Sequence, residues 1–243
     1  MCPERATTPR YGIAAVLVAA VVAGSALVAT GTTAAGAAEP AATPQPAVGV
    51  NAHLLWSDWT DAQRITALDK FAAAGISWIR LDIGWASVEY RGRGVYEEWF
   101  LQRIGTVLDA ARARGIAVTA ILWSTPPWAG GGPTNAVPAA SDYASIARFM
   151  ASRFRGKVAA WEVWNEPNLS SFWASASAAD YAALVRAAYP AFKAGDPGAS
   201  VVIGGVSEAD DPWLAQMYAA GVSGSYDVLA PHPYQAPSDQ GPE

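Results

Sequence analysis

The sequence predicts an α/β fold of consecutive parallel βα units, of the TIM (β/α)8 barrel type. Three observations carry that prediction. From about residue 48 onward, short β-branched or aromatic runs alternate with Ala-rich amphipathic stretches, the two periodicities of strand and helix. A glycine sits just past each helical stretch, at Gly75, Gly115, Gly156, Gly195 and Gly221, where helices commonly end in a left-handed turn. Polar and aromatic residues collect where the strands end, at His53, Asp82, Trp85, Trp123, Asn165, Glu166, Glu208, His232 and Tyr234. In a barrel those ends converge on one face, where active sites are built.

The elements follow in order. Strands are expected at 48–52, 77–82, 117–122, 159–164, 200–204 and 227–230. Helices are expected at 60–74, 97–114, 141–155, 178–194 and 212–220. Strands recurring at this pace with helices between them imply parallel pairing through crossovers. The competing architecture is an open doubly wound sheet. A nucleotide binder of that kind carries a Gly-rich turn after its first strand, but here the strand runs into Asn51-Ala52-His53 and no GxGxxG or GxxxxGK occurs,. Six βα units are present, and strands seven and eight of a full barrel are expected to be missing.

Composition narrows the function classes. The chain has 243 residues, a formal net charge of −5 and only 15% charged residues. That is no basic footprint for nucleic acid. Eleven Trp, nine Tyr and six Phe exclude a solvated, disordered chain. A tryptophan surplus of this size commonly lines grooves that grip flat apolar faces.

The N-terminus reads as an address. Arg5 and Arg10 precede an apolar run at 12–29, and small residues up to Ala38 suit a signal-peptidase site,. A membrane anchor is the alternative reading. On the first reading residues 1–38 are a signal peptide, 39–47 a Pro/Ala linker and 48–243 a partial barrel. The protein is then secreted, with no stable membrane association after cleavage. Cys2 leaves with the signal, so no disulfide or thiol chemistry remains. With two histidines, His53 and His232, and no HExxH, no metal or other cofactor is expected.

The strongest local signal is Trp161-Glu162-Val163-Trp164-Asn165-Glu166-Pro167-Asn168. An apolar strand ends abruptly in polar residues, and Pro167, lacking an N–H, is expected to stop the ladder. Asn165-Glu166-Pro167 at the end of strand four resembles the hallmark of the clan A retaining glycoside hydrolases, which are (β/α)8 barrels. The run as a whole looks like family 39 or family 5 members. The resemblance implies that Glu166 is the catalytic acid/base and that Asn165 binds the sugar 2-hydroxyl. It implies that Arg80, in Trp78-Ile79-Arg80-Leu81-Asp82, supports the nucleophile. His232 and Tyr234, in Pro231-His232-Pro233-Tyr234, are implied to reach the site from strand six. Trp56, Trp59, Trp85, Trp123 and Trp128 look like loop residues around a sugar groove, with carbohydrate as the partner.

The nucleophile is the departure. The clan uses a second carboxylate at the end of strand seven, and this sequence reaches Glu243 soon after His232. Glu243 closes a polar tail and is not nominated. Glu162 is expected to be a buried partner of Arg80, with direct catalysis the alternative. His53 either bonds a sugar hydroxyl or ends strand one. Glu208 either reaches the cleft or joins Asp210 and Asp211 at a helix N-terminus. Trp78 and Trp161 are expected in the core and Trp85, Trp123 and Trp128 in the lining. The sequon at Asn168 is read as coincidence. Two functions remain: a secreted glycosidase acting on β-linked saccharides by two carboxylates, or a non-catalytic carbohydrate-binding remnant of one.

Overall fold

The computed structural model describes residues 47–203 and 205–233. The expected leader (1–38), nearly all of the expected linker (39–47) and Tyr234 lie outside the described residues.

The elements run β1 (Gly49–Ala52), α1 (Asp61–Ala73), β2 (Trp78–Gly84), α2 (Trp85–Val88), α3 (Glu98–Arg112), β3 (Ala117–Trp123), α4 (Pro127–Gly130), α5 (Ala140–Arg153), β4 (Ala160–Val163), α6 (Ala178–Gly195), β5 (Ser200–Ile203), α7 (Asp211–Ala219) and β6 (Val228–Leu229). The strands form one sheet in the order β1-β2-β3-β4-β5-β6. Every pairing is parallel. Sequential parallel order with a helical crossover between neighbours is the wall of a (β/α)8 barrel.

Local chemistry explains the boundaries. Thr60 and Gln63 form a reciprocal capping box at the start of α1, satisfying two N–H groups that a helix start leaves orphaned. Ser177 and Asp210 cap α6 and α7. Asp210 and Asp211 thus act as a helix N-terminal acidic pair, while Glu208 is exposed in the loop before it. Gly75, Gly115, Gly156 and Gly221 have φ between 70° and 83°, the left-handed conformation expected after helices.

Alternation along β2 divides the two faces of the sheet. Ile79, Leu81 and Ile83 are fully buried under the helices, whereas Trp78, Arg80 and Asp82 face the concave side. Helix α3 lays Phe100, Leu101, Ile104, Val107, Leu108 and Ala111 on the core, the spacing of one helical face. Trp161 stacks on Phe192 of α6 at 5.4 Å between ring centroids. Each such buried side chain contributes about 1.5–3 kcal/mol.

Three expectations change here. Trp161 is core, but Trp78 is not. It lies half-buried on the concave face and its indole N–H donates to Thr119 Oγ1 at 2.7 Å. Strand β4 ends at Val163, not Trp164, because Trp164 takes a left-handed φ of 66°. That backbone reversal, rather than Pro167, interrupts the ladder. The short helices α2 and α4 were not anticipated, being a single turn each and lacking any periodic signal.

Candidate active site

The residues after β3 and β4 are held in an uncommon conformation. Ser124, Trp164 and Glu166 have φ of 73°, 66° and 41°. A left-handed non-glycine residue costs about 1–2 kcal/mol, so surrounding contacts must enforce it. They do. Trp164 is fully buried, donates its indole N–H to Phe172 O at 2.8 Å, and meets Trp173 edge-on at 4.9 Å. Its backbone N–H reaches Leu122 O, and the Glu166 N–H reaches Gly205 O at 3.0 Å. This two-sided anchoring turns the chain at Asn165 and aims Asn165 and Glu166 into the concave face.

Arg80 organises that face. Its Nε and Nη2 donate to both carboxylate oxygens of Glu162, at 2.6 and 2.9 Å. Nη2 also donates to Asn165 Oδ1 at 2.9 Å, and Nη1 lies 3.7 Å from Asp82. Because the Asn165 oxygen is occupied, its amide N–H groups remain to donate to a ligand. Burial works against the Arg80 charge. The hydrogen bond and charge of Glu162, with the charges of Asp82 and Glu166, outweigh it, so its pKa rises above the ordinary value. Glu162 is therefore a buried structural counter-ion, as expected, and not a group free for chemistry.

Glu166 is 6% exposed. His232 Nδ1 lies 2.8 Å from Glu166 Oε1. His232 is positioned by a parallel bridge to Ser207 and by its N–H to Val206 O. Gly205 makes this approach possible. A Cβ there would stand 1.9 Å from His232 Nε2, closer than any real contact.

These groups open into a cavity of about 630 Å³ lined by His53, Trp56, Arg80, Trp123, Asn165, Glu166 and His232. His53 Nδ1 bonds Asp82 Oδ2, and the His53 ring stacks on Trp56 at 4.3 Å. The two carboxylates that line this cavity among the described residues are Glu166 and Asp82. The arrangement offers a buried carboxyl on a rigid support, an amide donor beside it and aromatic walls. That set suits general acid–base work on a polyhydroxylated ligand.

The structure therefore brings together Glu166, Asn165, Arg80, His232, Trp123 and His53. It does not bring in Trp85 or Trp128. Trp85 is fully buried, its indole N–H donating to Glu89 Oε2 at 2.6 Å. Trp128 donates to Glu89 O at 2.6 Å and carries Arg93 over its ring. Both brace the loop after α2: the Trp85 indole and the Gly94 N–H satisfy the buried Glu89 carboxylate, and the Trp128 indole satisfies the Glu89 backbone carbonyl,. Sequence reasoning passed over Gly205 and Phe172 and kept Asp82 out of the binding set. Asp82 had a visible signal, being polar at a strand end; Gly205 and Phe172 had none. The Asn168 amide exchanges two hydrogen bonds with the Ser207 backbone, consistent with a structural role rather than a glycan site.

Among the described residues no cluster of three or more His, Cys, Asp or Glu side chains is placed to hold a metal. No described helix is long and apolar enough to cross a membrane.

Residues 39–242 match the family described as "Cellulase (glycosyl hydrolase family 5)". No curated protein matches the sequence. Among solved structures, a family 39 glycoside hydrolase from the gut symbiont Bacteroides cellulosilyticus WH2 aligns with a TM-score of 0.61 and 22% identity, covering 80% of this chain and 41% of that one. A monomeric β-xylosidase from Caulobacter crescentus CB15 aligns at 0.59 and 21%, covering 76% and 41%. An exo-β-1,4-mannosidase from Opitutaceae bacterium strain TAV5 aligns at 0.58 and 22%, covering 69% and 33%. The chain thus spans well under half the length of each. At these identities the likeness shows the barrel fold, while the family match covers most of the chain and assigns it: this protein belongs to the cellulase family, glycosyl hydrolase family 5.

Proposed function

We propose that the protein is a secreted glycosidase for β-linked oligosaccharides or polysaccharides, working by the retaining mechanism with Glu166 as acid/base. The observation that carries the reading is the buried Glu166 carboxyl, held by His232 at 2.8 Å at the tip of β4 in an aromatic-walled cavity. Protonated, it gives its proton to the glycosidic oxygen as the bond breaks. Ionised, it then takes a proton from the water that releases the sugar. His232 holds the carboxyl in place through both steps. Asn165, fixed by Arg80, presents its amide N–H groups toward a sugar hydroxyl. The basic and apolar N-terminal pattern supports secretion.

A retaining reaction also needs a second carboxylate about 5–5.5 Å from the first. Asp82 lines the cavity but is already bound to His53 and near Arg80, so it is not assigned that role. This observation favours, as a second reading, a chain that binds saccharide without cleaving it.

The test is Glu166→Gln assayed on aryl β-glycosides with azide present as the external nucleophile. Substrates with poor leaving groups should lose turnover by about 10²-fold or more, because general acid catalysis contributes that much. Substrates with good leaving groups need little protonation and should still be cleaved. Equal loss on both kinds would remove the acid/base assignment.

A further inference from the structure

The ladder between β4 and β5 ends at the pair Val163–Ile203, yet the segments that follow must stay in register for His232 to meet Glu166. Asn168 ties them together beyond the last rung. Half-buried on the turn after β4, it donates Nδ2 to Ser207 O at 3.1 Å and accepts the Ser207 N–H on Oδ1 at 3.0 Å. A carboxamide carries the same donor and acceptor as a peptide group, so Asn168 pairs with Ser207 as a neighbouring strand would. A second tie between the two segments runs from the Glu166 N–H to Gly205 O at 3.0 Å.

Ser207 belongs in turn to the frame that holds His232. It forms the parallel bridge to His232. The His232 N–H donates to Val206 O at 3.0 Å, and the Ala209 N–H donates to His232 O at 3.2 Å. Glu208 and Ala209 on this frame have φ of 59° and 49°, a left-handed pair that residues with a Cβ adopt only where contacts enforce it. The contacts close into a ring. Glu166 main chain meets Gly205, Asn168 meets Ser207, residues 206–209 hold the His232 main chain, and the His232 ring returns to the Glu166 carboxyl at 2.8 Å. Without the Asn168 amide, the Glu166–Gly205 bond becomes a pivot about which residues 206–209 can turn, carrying His232 with them.

We propose that Asn168 is a positioning residue for the acid/base: through Ser207 it sets the distance between the His232 ring and the Glu166 carboxyl. Asn168 lies outside the lining of the Glu166 cavity, so it acts on a ligand only through that pair. The inference rests on the reading of Glu166 as acid/base.

The experiment is nitrogen-15 NMR of the full chain labelled at histidine, with Asn168→Ala, Asn168→Asp and, as a control, Asn135→Ala. The Asp variant keeps the acceptor for the Ser207 N–H but turns an oxygen toward Ser207 O. The control removes a bond to Ser170 O in the same turn region without touching Ser207. The sequence has two histidines, His53 and His232, so their ring signals are separable, and Glu166→Ala marks the His232 shift without its carboxylate. Both Asn168 variants should move the His232 Nδ1 signal substantially toward that marker and leave His53 in place, while Asn135→Ala should move neither. With azide present, Asn168→Ala should also slow cleavage of aryl β-glycosides with poor leaving groups about tenfold, since a small misplacement of a catalytic group costs rate steeply, and spare those with good ones. An unmoved His232 signal in the folded variants, or an equal shift from Asn135→Ala, overturns the positioning role and leaves the glycosidase reading standing. Loss of folding in both Asn168 variants overturns it too, making Asn168 a stability element. If the unsubstituted chain cleaves no aryl glycoside even with azide, the glycosidase reading falls, and the His232 signal decides the placement by itself.

Discussion

Arg80 and Glu162, 82 residues apart in sequence, meet in a two-bond pair at 2.6 and 2.9 Å on the concave face of the sheet. The pair sets the height of Arg80, and Arg80 in turn orients Asn165. Breaking it is therefore a test of site architecture. Glu162→Ala leaves a largely buried guanidinium without its main counter-ion. It should cost about 3–5 kcal/mol of stability, read as a lower denaturant midpoint with an unchanged slope. Saccharide affinity should fall as well, because Asn165 loses its fixed orientation. Unaltered affinity in a stably folded variant would show that Arg80 does not position Asn165.

Gly205→Ala should disturb Glu166 from a distance. The added methyl would enter the space of the His232 ring, and overpacking of this sort costs about 1–3 kcal/mol. The same substitution made in a His232→Ala background should cost far less. A thermodynamic cycle over the four proteins measures this. Additive losses would mean that Gly205 matters for its backbone alone.

Asp227 ties β6 to its neighbours. It accepts from the Val201 N–H at 2.8 Å and Tyr189 Oη at 3.1 Å, and pairs with Lys193 Nζ at 2.6 Å. Partial burial would raise its pKa, but the Lys193 bond, the Val201 and Tyr189 bonds and the Lys193 charge outweigh burial and lower it. A depressed folded value means that the stabilisation is present above the unfolded value of 3.8. It fades as pH falls through the lower folded value. Unfolding curves of the protein and its Asp227→Asn variant should differ near pH 6, and the gap should narrow progressively as pH falls below 3.8,. A constant gap across that range would contradict the linkage.

Azide tests whether Glu166 works with a second carboxylate. With Asp82 bound to His53, hydrolysis of aryl β-glycosides by this 243-residue chain should be negligible. Azide, a small anionic nucleophile, should restore cleavage and yield a glycosyl azide of inverted configuration. Robust hydrolysis without azide, abolished by Glu166→Ala, would identify a carboxylate partner in the chain and remove the binding-only reading.

Much of this protein was readable along the chain. Each expected strand and helix has an observed counterpart, because burial on one face imposes period two or 3.6 and a glycine or cap marks the stop. The Trp161–Asn168 run located Glu166 and Asn165, since only a strand tip places polar residues directly after a buried stretch. The Arg80–Glu162 pair was expected too, with Glu162 read as a buried partner of Arg80, and the two-bond contact bears it out. What alternation could not supply was the destination of side chains in the loops. Trp85 and Trp128 turned inward because Glu89 offered acceptors there, and neither spacing nor composition reveals which acceptor an indole will meet. The left-handed turn at Trp164 and the close approach of His232 to Gly205 depend on contacts between neighbouring strands that lie far apart in sequence. Those contacts exist only once the sheet has curved, when distances between loops are decided by packing rather than by chain order.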